Sequence, residues 1–403
     1  MRIVIITAGS RGDVAPFTGL GRRLLEAGHH VAVAAHPPFA TLVEACDLEY
    51  RPLPGDPLAL IRSRGQAASP QEARAVMAAF LDGLADGVVE AVAGGADLLL
   101  TAFGPSALSR AAREAFGTPV IGTYLAPAFA TREFPLPGAR GVDDLGPDGN
   151  LAAGQAVLRG GEALLTGVAT RLRHRLGLPA ATPPAPPGRT GSVLHGFSPL
   201  VVPRPADWPS GAEVTGYWWP ARPQGWQPPG ELVDLLQAGP APVFIGFGSM
   251  APGEGERLSE LVAAAVRRAG VRAVVQAGWA GLGGTGDDLL AVGDLPHDWL
   301  LPRTATVVHH AGAGTTGAGL RAGIPAVPVP VMADQPFWAA RLHRLGVAPQ
   351  PLPFPDLTAE HLAAAITAAS AEAVRRRAAD IARRIAAEDG AGAVLSRIDE
   401  LGH

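Results

Sequence analysis

Continuous apolar runs alternate with helix-spaced apolar positions along most of the chain. Residues 2–7 form a β-branched run followed by glycine, the pattern of a strand buried on both faces of a parallel sheet. Leu20, Leu24 and Leu25 then recur at helical spacing up to Gly28, and residues 29–35 return to a strand pattern. This strand, helix, strand opening predicts a Rossmann-like half. Further strands are expected at 97–102, 119–124, 193–198 and 200–202. Helices are expected at 70–91, where Val76, Phe80, Leu84 and Val88 share a face, and at 151–176. The Pro-, Gly- and Asp-rich stretch 136–150 reads as a long loop, and the proline cluster at 179–187 fits neither helix nor central strand.

A second series of the same kind begins at 242–246. Strands follow at 272–276, 289–292, 306–308 and 326–331, with helices at 258–269, 315–322, 358–369 and 371–401. A chain of 403 residues exceeds one ordinary core and suits two α/β domains. The expected division is a first domain at 1–215, a Pro- and Trp-rich linker at 216–240, a second domain at 241–375 and a final helical segment at 376–403.

Composition removes several function classes. The net charge is −4, and no basic block is interleaved with aromatics, so nucleic acid is not an expected partner. The arginines between Arg375 and Arg384 are spaced among alanines as on a solvated helix face. Cys46 is the only cysteine, which excludes an intrachain disulfide and argues against a thiolate metal site. No apolar run approaches the roughly 20 residues that span a bilayer. The opening strand lacks the length and cleavage region of a secretory signal. A cytoplasmic protein with at most peripheral membrane contact is expected.

The densest chemistry lies in residues 305–335. A short strand leads into His309 and His310, then Gly312, Gly314 and Gly317 open an alanine-rich helix. The chain turns at Gly323 and ends on Asp334 and Gln335. A glycine loop between strand and helix lets backbone approach a ligand, and the unpaired N–H groups of the helix start favour an anion. A phosphate site is therefore expected. Gly312, Gly314 and Gly317 satisfy G-x-G-x-x-G, and Asp334 follows Gly312 by roughly 20 residues, so a nicotinamide-dependent oxidoreductase is a rival reading. The two histidines, the adjoining carboxylate and amide, and the separate α/β half upstream suit a sugar nucleotide better. Taken alone, His310 reads as a structural histidine and Thr315 as a helix cap.

In the first half, Gly9-Ser10-Arg11-Gly12-Asp13 places a carboxylate at the carboxyl end of the first strand, where α/β sheets bind ligands. Asp13 is either a cap of the helix beginning near Val14 or a functional acid. The pairs Asp143-Asp144 and Asp287-Asp288 read as solvated. No H-E-x-x-H or comparable cluster occurs, so no required metal is expected.

The run His310-Ala311-Gly312-Ala313-Gly314-Thr315, with Gly323-Ile324-Pro325 and Asp334-Gln335, resembles the donor-binding signature of inverting GT-B glycosyltransferases of the UDP-glycosyltransferase superfamily. Pro296-His297-Asp298-Trp299-Leu300, Asp334-Gln335-Pro336-Phe337-Trp338 and the loop at 9–14 with Pro16-Phe17 are similar to one branch of it. That branch holds the sterol and lipid glucosyltransferases and the bacterial natural-product (antibiotic) glycosyltransferases. The resemblance implies two Rossmann-like α/β/α domains facing a cleft, with the C-terminal helix crossing back to the N-terminal domain. It implies inverting, metal-independent transfer of a hexose from a UDP- or dTDP-sugar, with no resident cofactor, to a hydroxyl of a hydrophobic sterol, triterpenoid or polyketide-type molecule.

The same resemblance assigns Asp13 as the base. It assigns the donor to Gly12, Gly248, Ser249, Trp299, His310, Gly312, Ala313, Gly314, Thr315, Asp334 and Gln335. Phe103, Tyr124, Phe129 and Phe134 each read as core residues alone, and together suit an apolar acceptor pocket. The sequence departs from the plant members at Ala318, where they carry a ribose-binding glutamate, and at Val292 and Leu295, where they carry tryptophan and glutamine. Base recognition is expected to fall on backbone around 294–299. The alternatives are an oxidoreductase using the Gly312–Gly317 loop and a non-catalytic sugar-nucleotide-binding protein.

Overall fold

The computed structural model describes residues 1–66, 69–139, 143–179, 192–250, 253–286 and 288–400. Most of the expected proline cluster, from residue 180 onward, and Asp287 lie outside the described residues. The chain divides into two compact units. One comprises Met1–Pro199, Pro203–Gln224 and Asp389–His403, and the other Leu200–Val202 and Gly225–Glu388.

The first unit runs β1 (Arg2–Ile6), α1 (Arg11–Glu26), β2 (His30–Ala35), α2 (Ala40–Glu44), β3 (Glu49–Pro52), α3 (Pro57–Gln66), α4 (Pro70–Ala93) and β4 (Leu98–Thr101). It continues with α5 (Ser106–Phe116), β5 (Val120–Tyr124), α6 (Gly146–Arg175), β6 (Val193–His195) and β7 (Ala212–Val214). The seven strands are parallel in the order β3-β2-β1-β4-β5-β6-β7. The two-residue side-chain period of β1 explains the layering. Ile3 and Ile5 join Val14, Phe17, Leu20 and Leu24 of α1 on one face. Val4 and Ile6 join Leu84 and Val88 of α4 and Val168 and Leu172 of α6 on the other.

The second unit runs α7 (Gly230–Gln237), β8 (Val243–Gly246), α8 (Gly255–Ala269), β9 (Ala273–Gln276), β10 (Thr285–Gly286), β11 (Leu289–Val292), α9 (His297–Leu300) and β12 (Thr306–His309). It continues with α10 (Ala313–Ala322), β13 (Ala326–Pro328), α11 (Gln335–Arg344), α12 (Ala359–Ala369) and α13 (Glu372–Ile385), and α14 (Gly390–Asp399) follows. The sheet order is β10-β11-β9-β8-β12-β13, parallel except for the short β10. Val243, Ile245, Val275, Val308 and Val327 pack against Leu258 and Val262 of α8 and Leu362 and Ile366 of α12. Both sheets reverse strand order next to their first strand, as Rossmann-like sheets do.

Three expectations need correction. Residues 200–202 are not a strand, because Pro199 and Pro203 bracket them and remove the flanking N–H donors. The last strand of the sheet is β7 instead. Residues 216–240 are not a plain linker. Trp218 is buried against Phe17 with ring centroids 5.7 Å apart, and α7 occupies 230–237. The final helix is two helices. Gly323 at the end of α10 fits closely against Ala382 of α13, which keeps α13 in the second unit. Asp389 caps a new helix, its Oδ1 accepting the Gly392 N–H at 2.9 Å, and only α14 buries Val394 and Ile398 in the first unit's core. Among the described residues no helix is long and apolar enough to cross a membrane.

A Cβ on Gly390 would lie 2.5 Å from the Gly216 carbonyl oxygen and 2.6 Å from that of Tyr217. Gly390→Ala is expected to destabilise the first unit by about 1–3 kcal/mol. Gly160 on α6 meets nothing within 4 Å, so Gly160→Ala is expected to be neutral or stabilising. Urea unfolding of the two variants checks the contrast.

Candidate active site

In the second unit the strand order reverses between β8 and β12, and the loops leaving those two strands meet. Gly248, two residues past β8, has φ +58°, and a Cβ there would lie 2.8 Å from His310 Cε1. Gly312 is the N-cap of α10, and a Cβ there would lie 2.5 Å from His310 Nε2. The His310 imidazole thus sits between two backbones that approach it only because neither carries a side chain. Gly314 in the first turn of α10 is different: it is exposed, and its Cβ position opens on empty space. No side chain caps α10. The first-turn N–H groups of Ala313, Gly314 and Thr315 therefore form, with His310, an anion-accepting surface. Ser249 is half-buried just beyond Gly248. The Trp279 N–H donates to the Gly248 carbonyl at 2.8 Å, tying that turn to the loop after β9.

His309 is fully buried at the end of β12, and its Nδ1 accepts the Ala311 N–H at 3.1 Å. Burial, helped by the neighbouring His310 and His297, lowers its pKa to about 3. Burial also lowers His310 to about 4; the His297 charge acts in the same direction and the Gly246 backbone opposes it. Both rings are neutral at neutral pH, and His310 offers hydrogen bonding rather than a full charge.

The next loop, after β13, carries Asp334 and Gln335. Asp334 stands at the N-cap of α11, and its Oδ2 accepts the Trp338 indole N–H at 2.7 Å. Burial raises its pKa, and the Trp338 hydrogen bond pulls the other way. Gln335 is 4% exposed, and its Oε1 accepts the N–H groups of Val331 and Met332 at 2.8 and 3.0 Å. That amide oxygen is committed to the protein, so only Nε2 remains to meet a ligand. Trp299 does not join this constellation through its ring contacts. It packs edge-on to Trp226 at 5.4 Å, lies under the Arg303 guanidinium at 4.5 Å, and lines a cavity of about 360 Å³ with Val233, Leu236 and Gln237.

In the first unit the reversal falls between β1 and β4. The helix after β1 begins at Arg11 rather than near Val14, so its N-cap is Ser10 and Asp13 stands in its first turn. Asp13 Oδ2 accepts the Ser10 N–H at 2.7 Å and the Ser10 hydroxyl at 3.0 Å, the reach-back half of a capping box. A Cβ on Gly9 would lie 2.3 Å from that oxygen, so the glycine is what admits the carboxylate. Gly12 beside it is exposed, with only an ordinary 3.6 Å contact to Ser10 Oγ.

Phe103 follows β4, is 53% exposed and meets the buried Tyr124 edge-on at 5.4 Å. Phe129 and Phe134 are buried, Phe129 against His195 and Trp208 at 5.8 and 5.6 Å. No group of three or more His, Cys, Asp or Glu side chains able to hold a metal stands among the described residues. Sequence reasoning named Gly9 and Trp338 as motif members without their contacts to Asp13 and Asp334, and named His309 without its loop-shaping bond to Ala311.

Residues 3–134 match the glycosyltransferase family 28 N-terminal domain, and residues 271–401 match the erythromycin biosynthesis protein CIII-like C-terminal domain. The O-mycaminosyltylonolide 6-deoxyallosyltransferase of Streptomyces fradiae is 37% identical over 421 residues, covering 99% of this chain and 97% of that protein. The chain belongs to the GT-B glycosyltransferases of this family. Sterol 3-beta-glucosyltransferase UGT80A2 of Arabidopsis thaliana is 34% identical to this glycosyltransferase over 416 residues, covering 98% of the chain. The chain spans 64% of that relative's length. The crystal structure of glycosyltransferase VinC in complex with dTDP shares the fold, with a TM-score of 0.68 at 20% identity over 99% of each chain. That of the kitacinnamycin glycotransferase gives 0.71 at 20% identity, over 99% of this chain and 98% of that one.

His195, another buried histidine, has a pKa lowered by burial to about 4. With His309 at about 3 and His310 at about 4, the unfolded chain binds more protons than the folded one below about pH 6.5. Stability present above that pH is expected to be lost as pH falls toward 4. The slope is up to about 1.4 kcal/mol per pH unit for each histidine. Urea unfolding at a series of pH values from neutral to acid checks it, and a flat profile contradicts it.

Proposed function

We propose that this glycosyltransferase moves a hexose, with inversion and without a metal, from a UDP- or dTDP-sugar to a hydroxyl of a hydrophobic small molecule. The acceptor class is a sterol, triterpenoid or polyketide-type natural product, and the setting is the cytoplasm with at most peripheral membrane contact. The observation that carries the reading is the His310 ring held between Gly248 and Gly312 beside the uncapped start of α10. That arrangement suits a diphosphate, whose charge the helix dipole, the N–H groups and the imidazole offset. Asp334 as acceptor and Gln335 Nε2 as donor suit neighbouring sugar hydroxyls.

In the proposed reaction the acceptor oxygen bonds to the anomeric carbon as the bond from that carbon to the diphosphate oxygen breaks. Asp13 takes the hydroxyl proton, and the nucleoside diphosphate leaves with the bonding pair. An apolar acceptor that displaces water from the carboxylate raises its proton affinity toward that of a useful base. The names of the relatives support both acceptor types: the Streptomyces fradiae protein is a deoxyallosyltransferase of O-mycaminosyltylonolide, and the Arabidopsis and Neurospora crassa relatives are sterol 3-beta-glucosyltransferases.

The deciding experiment incubates the protein with UDP- and dTDP-hexoses and a panel of sterols, triterpenoids and macrolide aglycones in excess EDTA, with mass spectrometry of the products. A hexosylated acceptor is expected. No hexosylated product with any pair, or transfer only when a metal is added back, overturns the reading.

His310→Ala is expected to lower kcat by about 10²- to 10³-fold, or roughly 2.7–4 kcal/mol, as loss of an oxyanion donor does. Survival of turnover within threefold refutes that role. Asp13→Asn keeps the cap geometry and loses the proton acceptor. It is expected to lower turnover by about 10²- to 10⁴-fold with donor affinity and unfolding midpoint nearly unchanged. A variant that turns over normally returns Asp13 to capping alone.

A further inference from the structure

We propose that His309 is a positioning residue for the diphosphate site: it holds the turn at Ala311 that sets His310 and the start of α10 in their working relation. The inference rests on reading the β12–α10 loop as that site. His309 ends β12, where its backbone registers with Gly246 of β8 and Pro328 of β13, so the residue is fixed from both sides. Its side chain is fully buried, and Nδ1 accepts the Ala311 N–H at 3.1 Å. A ring nitrogen that accepts carries no proton, so the neutral imidazole bears its hydrogen on Nε2.

Ala311 has φ +62°, in the left-handed region that a residue with a Cβ adopts at a cost. Glycine would enter that turn unaided. Alanine needs something to hold it there, and among the described residues the side chain bonded to its N–H is that of His309. That left-handed φ sets the path of the chain from His310 to Gly312, whose backbone lies close against the His310 ring. If the tether is lost, Ala311 relaxes toward negative φ and the contact between Gly312 and His310 opens. The site is then competent for only a fraction of the time, and apparent affinity falls by that fraction.

The test uses His309→Phe, which fills most of the ring's space without an acceptor, and His309→Asn, whose carbonyl oxygen can replace Nδ1. Each is made alone and with Ala311→Gly. UDP and dTDP are titrated by calorimetry, alongside kcat, KM and the unfolding midpoint. His309→Phe is expected to weaken nucleoside diphosphate binding by about tenfold or more, and His309→Asn by less than about threefold. Ala311→Gly is expected to restore most of the loss in the His309→Phe background, because glycine takes the turn untethered. Wild-type affinity in a folded His309→Phe, or failure of Ala311→Gly to restore it, overturns the proposal.

A merely structural role would lower the unfolding midpoint and leave the affinity of the folded protein unchanged. Should His309→Phe not fold, ¹⁵N NMR of the wild-type ring decides: Nε2–H is expected at neutral pH, and an Nδ1–H tautomer overturns the assignment. If the wild-type protein binds neither UDP nor dTDP, the reading of the loop itself fails, a result distinct from any of the variant outcomes.

Discussion

The approach of two side-chain-free backbones to one imidazole is the constraint on which the second unit's chemistry depends. Gly248 and Gly312 come from loops after different strands, and both sit at distances from His310 that a Cβ would forbid. They meet because β8 and β12 are hydrogen-bonded neighbours, with Gly246 and His309 in register at their carboxyl ends. The strand order reverses between those strands, so the helices that follow diverge to opposite faces and leave the strand ends open. The same topology in the first unit leaves the ends of β1 and β4 open, where Asp13 and Phe103 stand. One folding rule therefore supplies a ligand-facing edge twice, and the residues on each edge decide its chemistry.

Alanines in left-handed turns mark both loops of the proposed donor site. Ala311 has φ +62° and Ala333 has φ +57°, and each lies beside a side chain that accepts nearby backbone N–H groups. His309 accepts from Ala311, and Gln335 accepts from Val331 and Met332 just ahead of Ala333. Backbone strain of this kind, of order 1–3 kcal/mol each, persists where the surroundings hold it in place. Residues that a sequence motif presents as ligand contacts are thus partly engaged in holding the loops that make the contacts. Gln335 divides its amide between the two tasks, and Asp334 has one carboxylate oxygen bonded to Trp338.

The fold was legible because strands buried on both faces read as unbroken apolar runs, as residues 2–6 and 243–246 do. The glycine loop after β12 was legible from three glycines in six positions, of which Gly312 makes the close approach to His310 while Gly314 opens on empty space. Domain edges were not. Trp218 lies in a Pro- and Trp-rich stretch that looks like a linker, yet its burial against Phe17 is a tertiary fact with no periodic signature. The break between α13 and α14 was hidden for a similar reason: Gly390 is demanded by the Gly216 and Tyr217 carbonyls, far away in sequence. Phe129 and Phe134 were placed near the ligand edge by their strands, but aromatic residues that end strands can turn either inward or outward. Both are buried, Phe129 against His195 and Trp208.

Charge at the proposed diphosphate site follows from burial. Without ligand, His310 is neutral over the physiological range, since burial and the nearby His297 disfavour a second positive charge. An anion beside the ring acts against that burial and raises its proton affinity. The helix start behaves differently: its N–H groups and dipole are fixed and need no proton. A site built from both has a constant part that selects an anion and a responsive part that strengthens as charge accumulates on the leaving group. The response depends on the His310 ring staying where Gly248 and Gly312 hold it, which returns the chemistry to the absence of two Cβ atoms.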